Sequence, residues 1–283
     1  MDDVAPSWQD FALAFELFRD PILCGIIAGA VLGYLAVHIV LRRMVFVTAT
    51  LTQTAGLGVA LGFYAAIFLE TEVHPVVSAL AASLTAAWVL SLPTDRLKLS
   101  RESVLAAMWL LAGAGAVLVG DRISQEAHDI AAILFGTAVL VRPEDLRMVV
   151  GVGALVLGAA WWWREGFIFA GFDREGARVQ GLPVRLLDMG LLALITCMVA
   201  VATRALGALP VFAFSVLPGM AALMLTSRLR WAFPLAALGG AAAGGLGYMA
   251  AFFLEFPVGA SQTAVAVLLV ALAAPVRLVR GGQ

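Results

Sequence analysis

Five polar side chains sit close together in one otherwise apolar run: Thr48, Thr50, Thr52, Gln53 and Thr54. They offer hydroxyl and amide oxygens without charge. Zinc and manganese favour imidazole, thiolate or carboxylate, so this set binds bare metal weakly but can hydrogen-bond a larger polar solute. A second polar point is Ser215, three residues before Pro218-Gly219. Proline removes a backbone donor, so a helix there either breaks, freeing backbone groups at membrane depth, or merely kinks. Polar groups facing lipid are costly, and some of these should face protein or water. The sequence therefore predicts a path lined by Thr48, Thr52, Gln53, Ser215 and Pro218.

A third stretch, residues 172–188, is the longest charged interruption between apolar runs. Asp173 can cap a short helix, Glu175 suits its first turn, and Gly181 with Pro183 can end it. Such a helix is a handle for a partner on one membrane face; a solvated loop joining two helices is the plain alternative. Elsewhere, Glu70, Glu72, His74, Asp121, Glu126, His128 and Asp129 fall between apolar runs. They read as solvated loop charge, as a docking rim, or as a transient cation mouth in which His74, His128 and Asp129 are the ligand types. His38, inside the first run, reads as an interhelical hydrogen bond or a snorkelling ring rather than a ligand. Three scattered histidines suggest no enzymatic constellation. The one lysine, Lys98, precedes Leu99, so the phosphate-binding Gly-Lys-Ser/Thr loop of an ATPase is missing.

These residues must be positioned by membrane helices. The chain of 283 residues is 62% hydrophobic and only 13% charged, against about 25% charged in soluble domains. A net charge of −1 gives no case for nucleic-acid binding. Cys24 and Cys197 lie in apolar runs, which makes neither a disulfide framework nor a metal motif. Residues 1–20 lack the basic start of a cleavable signal and read as an interfacial lead-in, with Trp8, Phe11, Phe15 and Phe18 at the membrane boundary.

Runs near the required length of about 20 residues occupy 22–41, 46–69, 75–92, 103–120, 146–163, 186–204, 207–226, 232–254 and 258–276. Residues 130–141 are apolar but too short, and read as re-entrant. The prediction is an all-α polytopic bundle of 8–9 spans, one domain over 1–283, with a re-entrant segment and a coupling helix. With 130–141 not crossing, 13 of the 18 basic residues fall on one side, including Arg42, Arg43, Arg101, Arg174, Arg185 and Arg277. The positive-inside rule makes that side cytoplasmic, with the N-terminus outside. Gly25, Gly29 and Gly33, and later Gly240 and Gly244, are spaced by four. Such faces permit close helix approach, within one subunit or across a dimer seam.

The order of short blocks resembles the metal-type ABC transporter permeases, importers of zinc, manganese or iron. Leu41-Arg42-Arg43-Met44-Val45-Phe46 is similar to that family's basic turn, and Gly58-Val59-Ala60-Leu61-Gly62 continues it. Leu134-Phe135-Gly136 with Glu144-Asp145-Leu146 resembles the outer re-entrant segment. Phe172, Asp173, Glu175, Ala177, Gly181, Leu182 and Pro183 match the segment that docks on a separate ATPase. Leu206–Leu209, Leu217–Ala222 and Phe256–Gly259 match later blocks. The resemblance implies a bacterial inner-membrane subunit that forms a homodimer. It also implies two copies of an ATPase that hydrolyses ATP, a periplasmic solute-binding protein, and no cofactor on this chain. In one place the pattern departs: the family's pathway Asp and His correspond to Ala49 and Gln53 here. That leaves import of a divalent metal or chelate beside a divergent, even non-transporting, module acting on another polar solute.

Overall fold

The computed structural model describes residues 8–68, 74–92, 100–123 and 141–281. All regular structure among them is helical: α1 (Trp8–Leu41), α2 (Val45–Phe68), α3 (Pro75–Ser91), α4 (Arg101–Arg122), α5 (Pro143–Trp162), α6 (Arg164–Phe172), α7 (Arg174–Val179), α8 (Val184–Leu206), α9 (Ala208–Leu225), α10 (Leu229–Leu254) and α11 (Val258–Gly281). Eight of these are long and apolar enough to cross a membrane. α3, with 17 residues, spans about 25 Å and stands at the lower limit of the range.

α1 is the central element, packed on α10, α9, α5 and α8. Leu32, Leu35, Ala36, Val37 and Ile39 are fully buried, as expected of a helix apolar on every side. The glycine stripe settles its own use. Gly25, Gly29 and Gly33 face Gly244, Gly240 and Ala236 so closely that a Cβ on Gly29 or Gly240 would enter the other's backbone carbonyl. The stripe is a seam within this subunit, where backbone contact replaces a hydrophobic drive that lipid cannot supply. α9 crosses the same helix at Gly219, where a Cβ would lie 2.6 Å from the Ala36 carbonyl carbon.

Two expectations change in detail. α9 runs unbroken from Ala208 to Leu225 with Pro218 inside it. The proline removes one ladder bond, but the helix, packed on α1, α10 and α11, continues through it. The N-terminal lead-in joins the first span in one helix of 34 residues, about 51 Å long. Its start is held by aromatic contacts of Trp8 and Phe11 with Phe252 and Phe253 of α10.

The packing also fixes which ends lie together. Leu41–Met44, Leu90–Leu92, Arg101 and Ala170–Phe172 border one cavity, so α2 and α3 run away from that end and back. α2 and α4 are parallel, since Thr50 reaches Leu105 and Leu57 abuts Gly115. α4 therefore ends at the far face, and α5 begins there, where Asp145 meets Arg204 and Arg204 covers Phe63. Residues 130–140 lie outside the described set, and the helices before and after them end and begin at the same face.

Candidate functional site

The charged stretch folds as a short helix-turn. Asp173 leaves the helical region, and its carboxylate accepts from the Gly176 N–H at 2.8 Å, capping α7 as its position suggested. Glu175 is exposed in the first turn. Gly181 has φ +78°, a left-handed conformation that costs a residue with Cβ more, and Pro183 then leads into α8. Ala177 is the anchor: it is fully buried in a small cluster with Ala170 and Val184, bordered by Phe169, Leu182 and Leu187. Phe172 and Val179 are left 64% and 88% exposed. Two large apolar side chains facing outward beside a capped, charged helix form a surface suited to a protein partner.

A brace fixes this segment to the rest of the bundle. Asp188 accepts from Arg42 Nη1 at 2.5 Å and from Arg174. Arg42 also donates through Nη2 to the Phe167 carbonyl at 2.6 Å. Gly171 permits this, because a Cβ there would sit 3.2 Å from Arg42 Nε. The α1–α2 turn, α7 and the start of α8 are thus linked through one carboxylate, and Arg42 ties α6 to them through the Phe167 carbonyl.

The polar run on α2 divides into two faces. Thr48, Thr50, Thr52 and Thr54 are buried against the subunit's own helices. Their hydroxyls donate to backbone carbonyls of the preceding turn, Thr48 to Val45 and Thr52 to Ala49, which satisfies them locally. Ala49, Gln53 and Leu57, spaced by four, form a half-buried stripe on another face. Gln53 Oε1 is buried and has no hydrogen-bond partner. Ser215 is fully buried and donates to Phe212 O at 2.8 Å. α2 and α9, which carry these residues, pack on one another.

At the opposite end, His74 caps α3, its Nδ1 accepting from Val76 N–H at 3.3 Å. That task occupies one ring nitrogen. Glu70, Glu72, Glu126, His128 and Asp129 lie outside the described residues. Among the described residues, no three His, Cys, Asp or Glu side chains gather as a metal site. Asp145, 4% exposed, pairs instead with Arg204 at 3.8 Å, and that guanidinium lies 5.6 Å over the Phe63 ring.

The helix order, the capped segment between α5 and α8, and the absence of an ATPase loop now meet an independent comparison. The sequence pattern of the ABC 3 transport family matches residues 14–276. The chain belongs to the ABC 3 transport family. Among its relatives is the manganese transport system membrane protein MntC of Halalkalibacterium halodurans, 24% identical over 93% of this chain and 88% of that protein. Another is the chelated iron transport system membrane protein YfeD of Yersinia pestis, 24% identical over 87% of this chain and 80% of that protein. The fold matches PsaBC of Streptococcus pneumoniae, solved with a Fab, at a TM-score of 0.83 and 23% identity, covering 94% of this chain and 93% of that one.

As an ABC 3 chain it is a multi-pass membrane permease subunit of an ABC transporter, with no ATPase site of its own. Sequence reasoning found the segment of this permease around Asp173, but not its brace. The signal was present: Asp188 is the only carboxylate near the start of its apolar run, and Arg42 lies in the basic turn. The Asp145–Arg204 pair and the fully buried Gln262, which donates to Gly244 O at 3.1 Å, were also missed. Each pairs residues far apart in the chain, which no local spacing reveals.

Proposed function

We propose that this ABC 3 permease imports a divalent metal ion or a metal chelate across a bacterial inner membrane. A periplasmic binding protein delivers the solute, and two copies of a separate ATPase, docked at the segment of Phe172, Asp173, Glu175, Gly181, Leu182 and Pro183 that the buried Ala177 anchors, drive it. Two copies of the chain enclose the path, which runs along the Ala49–Gln53 stripe of α2. The observation that carries this reading is the stripe itself: Ala49 and Gln53 are only half-covered by the subunit's own packing, and Gln53 Oε1, though buried, has no hydrogen-bond partner within the subunit. Thr48, Thr52, Ser215 and Pro218 support it from behind as the buried wall.

The stripe carries neither carboxylate nor imidazole, so it holds bare zinc or manganese weakly. A chelate, which arrives with its own ligands, needs only hydrogen-bond acceptors and space. This favours the chelate, as does the name of the iron-system relative. The test is disulfide trapping of Gln53→Cys in a chain lacking Cys24 and Cys197. A covalent dimer that blocks uptake until reduced is expected; a fully monomeric product, with Gln53→Cys modified only by lipid-soluble reagents, contradicts the reading.

A further inference from the structure

The α1–α2 turn, the end of α3, the start of α4 and the coupling segment enclose a cavity of about 590 Å³. Five guanidinium groups line it, from Arg42, Arg43, Arg101, Arg174 and Arg185, against the single carboxylate of Asp188. That carboxylate is taken by Arg42 and Arg174. Arg43, Arg101 and Arg185 have no acidic partner among the described residues. Like charges so close repel one another and call for an anion.

Arg43 has φ +55°, a left-handed backbone that costs a non-glycine residue, and the bonds Arg43 N–H to Val40 O and Met44 N–H to Ile39 O enclose it. Apart from Ser91 and Gly171, the remaining lining side chains are apolar, Met44, Leu90, Met189 and Leu192 among them. A free inorganic anion prefers donors all round. A phosphate diester carrying glycerol and acyl chains matches a wall that is half cationic and half apolar. The cavity also lies where α1, α3 and α6 end and α2, α4, α7 and α8 begin, and the ends of spanning helices meet lipid headgroups.

We propose that this cavity binds the phosphate headgroup of an anionic phospholipid from the adjacent leaflet. Bound there, the phosphate joins Arg101 of α4 and Arg43 of the first turn to Arg185 at the start of α8. The lipid becomes part of the mechanical joint between the coupling segment and the spanning helices. The assignment to the cytoplasmic leaflet rests on the proposed orientation; binding itself does not, so the two fail separately.

The test is native mass spectrometry of the purified full-length chain with phosphatidylglycerol or phosphatidylcholine of identical acyl chains. Each basic side chain at a lipid surface contributes about fivefold in affinity. Arg101→Gln should therefore weaken phosphatidylglycerol retention about fivefold, and the triple Arg43→Gln, Arg101→Gln, Arg185→Gln about a hundredfold. Phosphatidylcholine retention should be weak and unchanged in both. Equal retention of the two lipids, or a triple variant that keeps phosphatidylglycerol, overturns the proposal. So does full displacement of the lipid by millimolar inorganic phosphate, which would mean a free-anion site. Loss of the ATPase partner by the triple variant with lipid retention intact overturns it as well, because the arginines would then serve a protein. The single variant, and a melting curve of each protein, separate lost binding from lost folding.

Discussion

Replacing Asp188 by asparagine should loosen the coupling segment without unfolding the bundle. The carboxylate is 24% exposed and holds two arginines of different character: Arg42 is 10% exposed and Arg174 62%. The Arg174 pair is largely solvated and contributes about 0–1 kcal/mol. The Arg42 bond is charge-assisted and shielded, and bonds of that kind contribute about 1.5–3 kcal/mol. Asparagine keeps one neutral acceptor, so the expected net loss is about 2 kcal/mol, or about thirtyfold in the local opening equilibrium. Hydrogen–deuterium exchange on the full-length chain in detergent reads this directly. Amides from 172 to 188 should exchange about thirtyfold faster. Those around Gly29 and Gly240, buried in the α1–α10 seam, should not change. Acceleration below threefold at 172–188 would refute the brace, and equal acceleration in the seam would show that Asp188 supports the whole fold instead.

Further outcomes follow from the same contacts. Gly240→Val places side-chain atoms in the Gly29 backbone; a cost of about 3 kcal/mol or more is expected, seen as a lost or strongly lowered melting transition. Arg204→Ala leaves Asp145 buried and unpaired, at a cost of about 3 kcal/mol, and adding Asp145→Asn should recover much of the lost melting temperature. Ala177→Glu forces a charge into the pocket formed with Ala170 and Val184 and should abolish ATPase co-purification while the spanning helices stay folded. Single cysteines at His74 and Arg277, in a chain without Cys24 and Cys197, should label from opposite sides with an impermeant thiol reagent.

The sequence was most informative where one physical requirement dominates locally. Span lengths, the Gly-x-x-x-Gly spacing, the Asp173 cap and the Gly181 turn are all written within a few residues, and the structure places them as expected. α9 shows the limit of that approach. Pro218 reads equally as a break or as a kink, and the helix continues because neighbours packed on it outweigh one missing backbone bond. The polar run on α2 shows a second limit. Thr48 and Thr52 look like path-lining groups by composition, but which face of α2 is covered depends on α3, α4, α8 and α9, and it is Ala49 and Gln53 that stay half-open. The α6 helix went unread because Trp161–Trp163 carry the apolar pattern on into Arg164, and only the backbone at Trp163 marks the corner.

The central claim is ATP-driven passage of a metal species along α2. It is tested most directly by accumulation of manganese, offered bare and as a chelate, in proteoliposomes containing the permease, its ATPase and its binding protein. The account predicts ATP-dependent accumulation, greater for the chelate. Gln53→Leu should reduce it at least tenfold, and Ala49→Asp with Gln53→His should shift it toward the bare ion. Accumulation of neither form, or equal accumulation by wild type and Gln53→Leu, would contradict it.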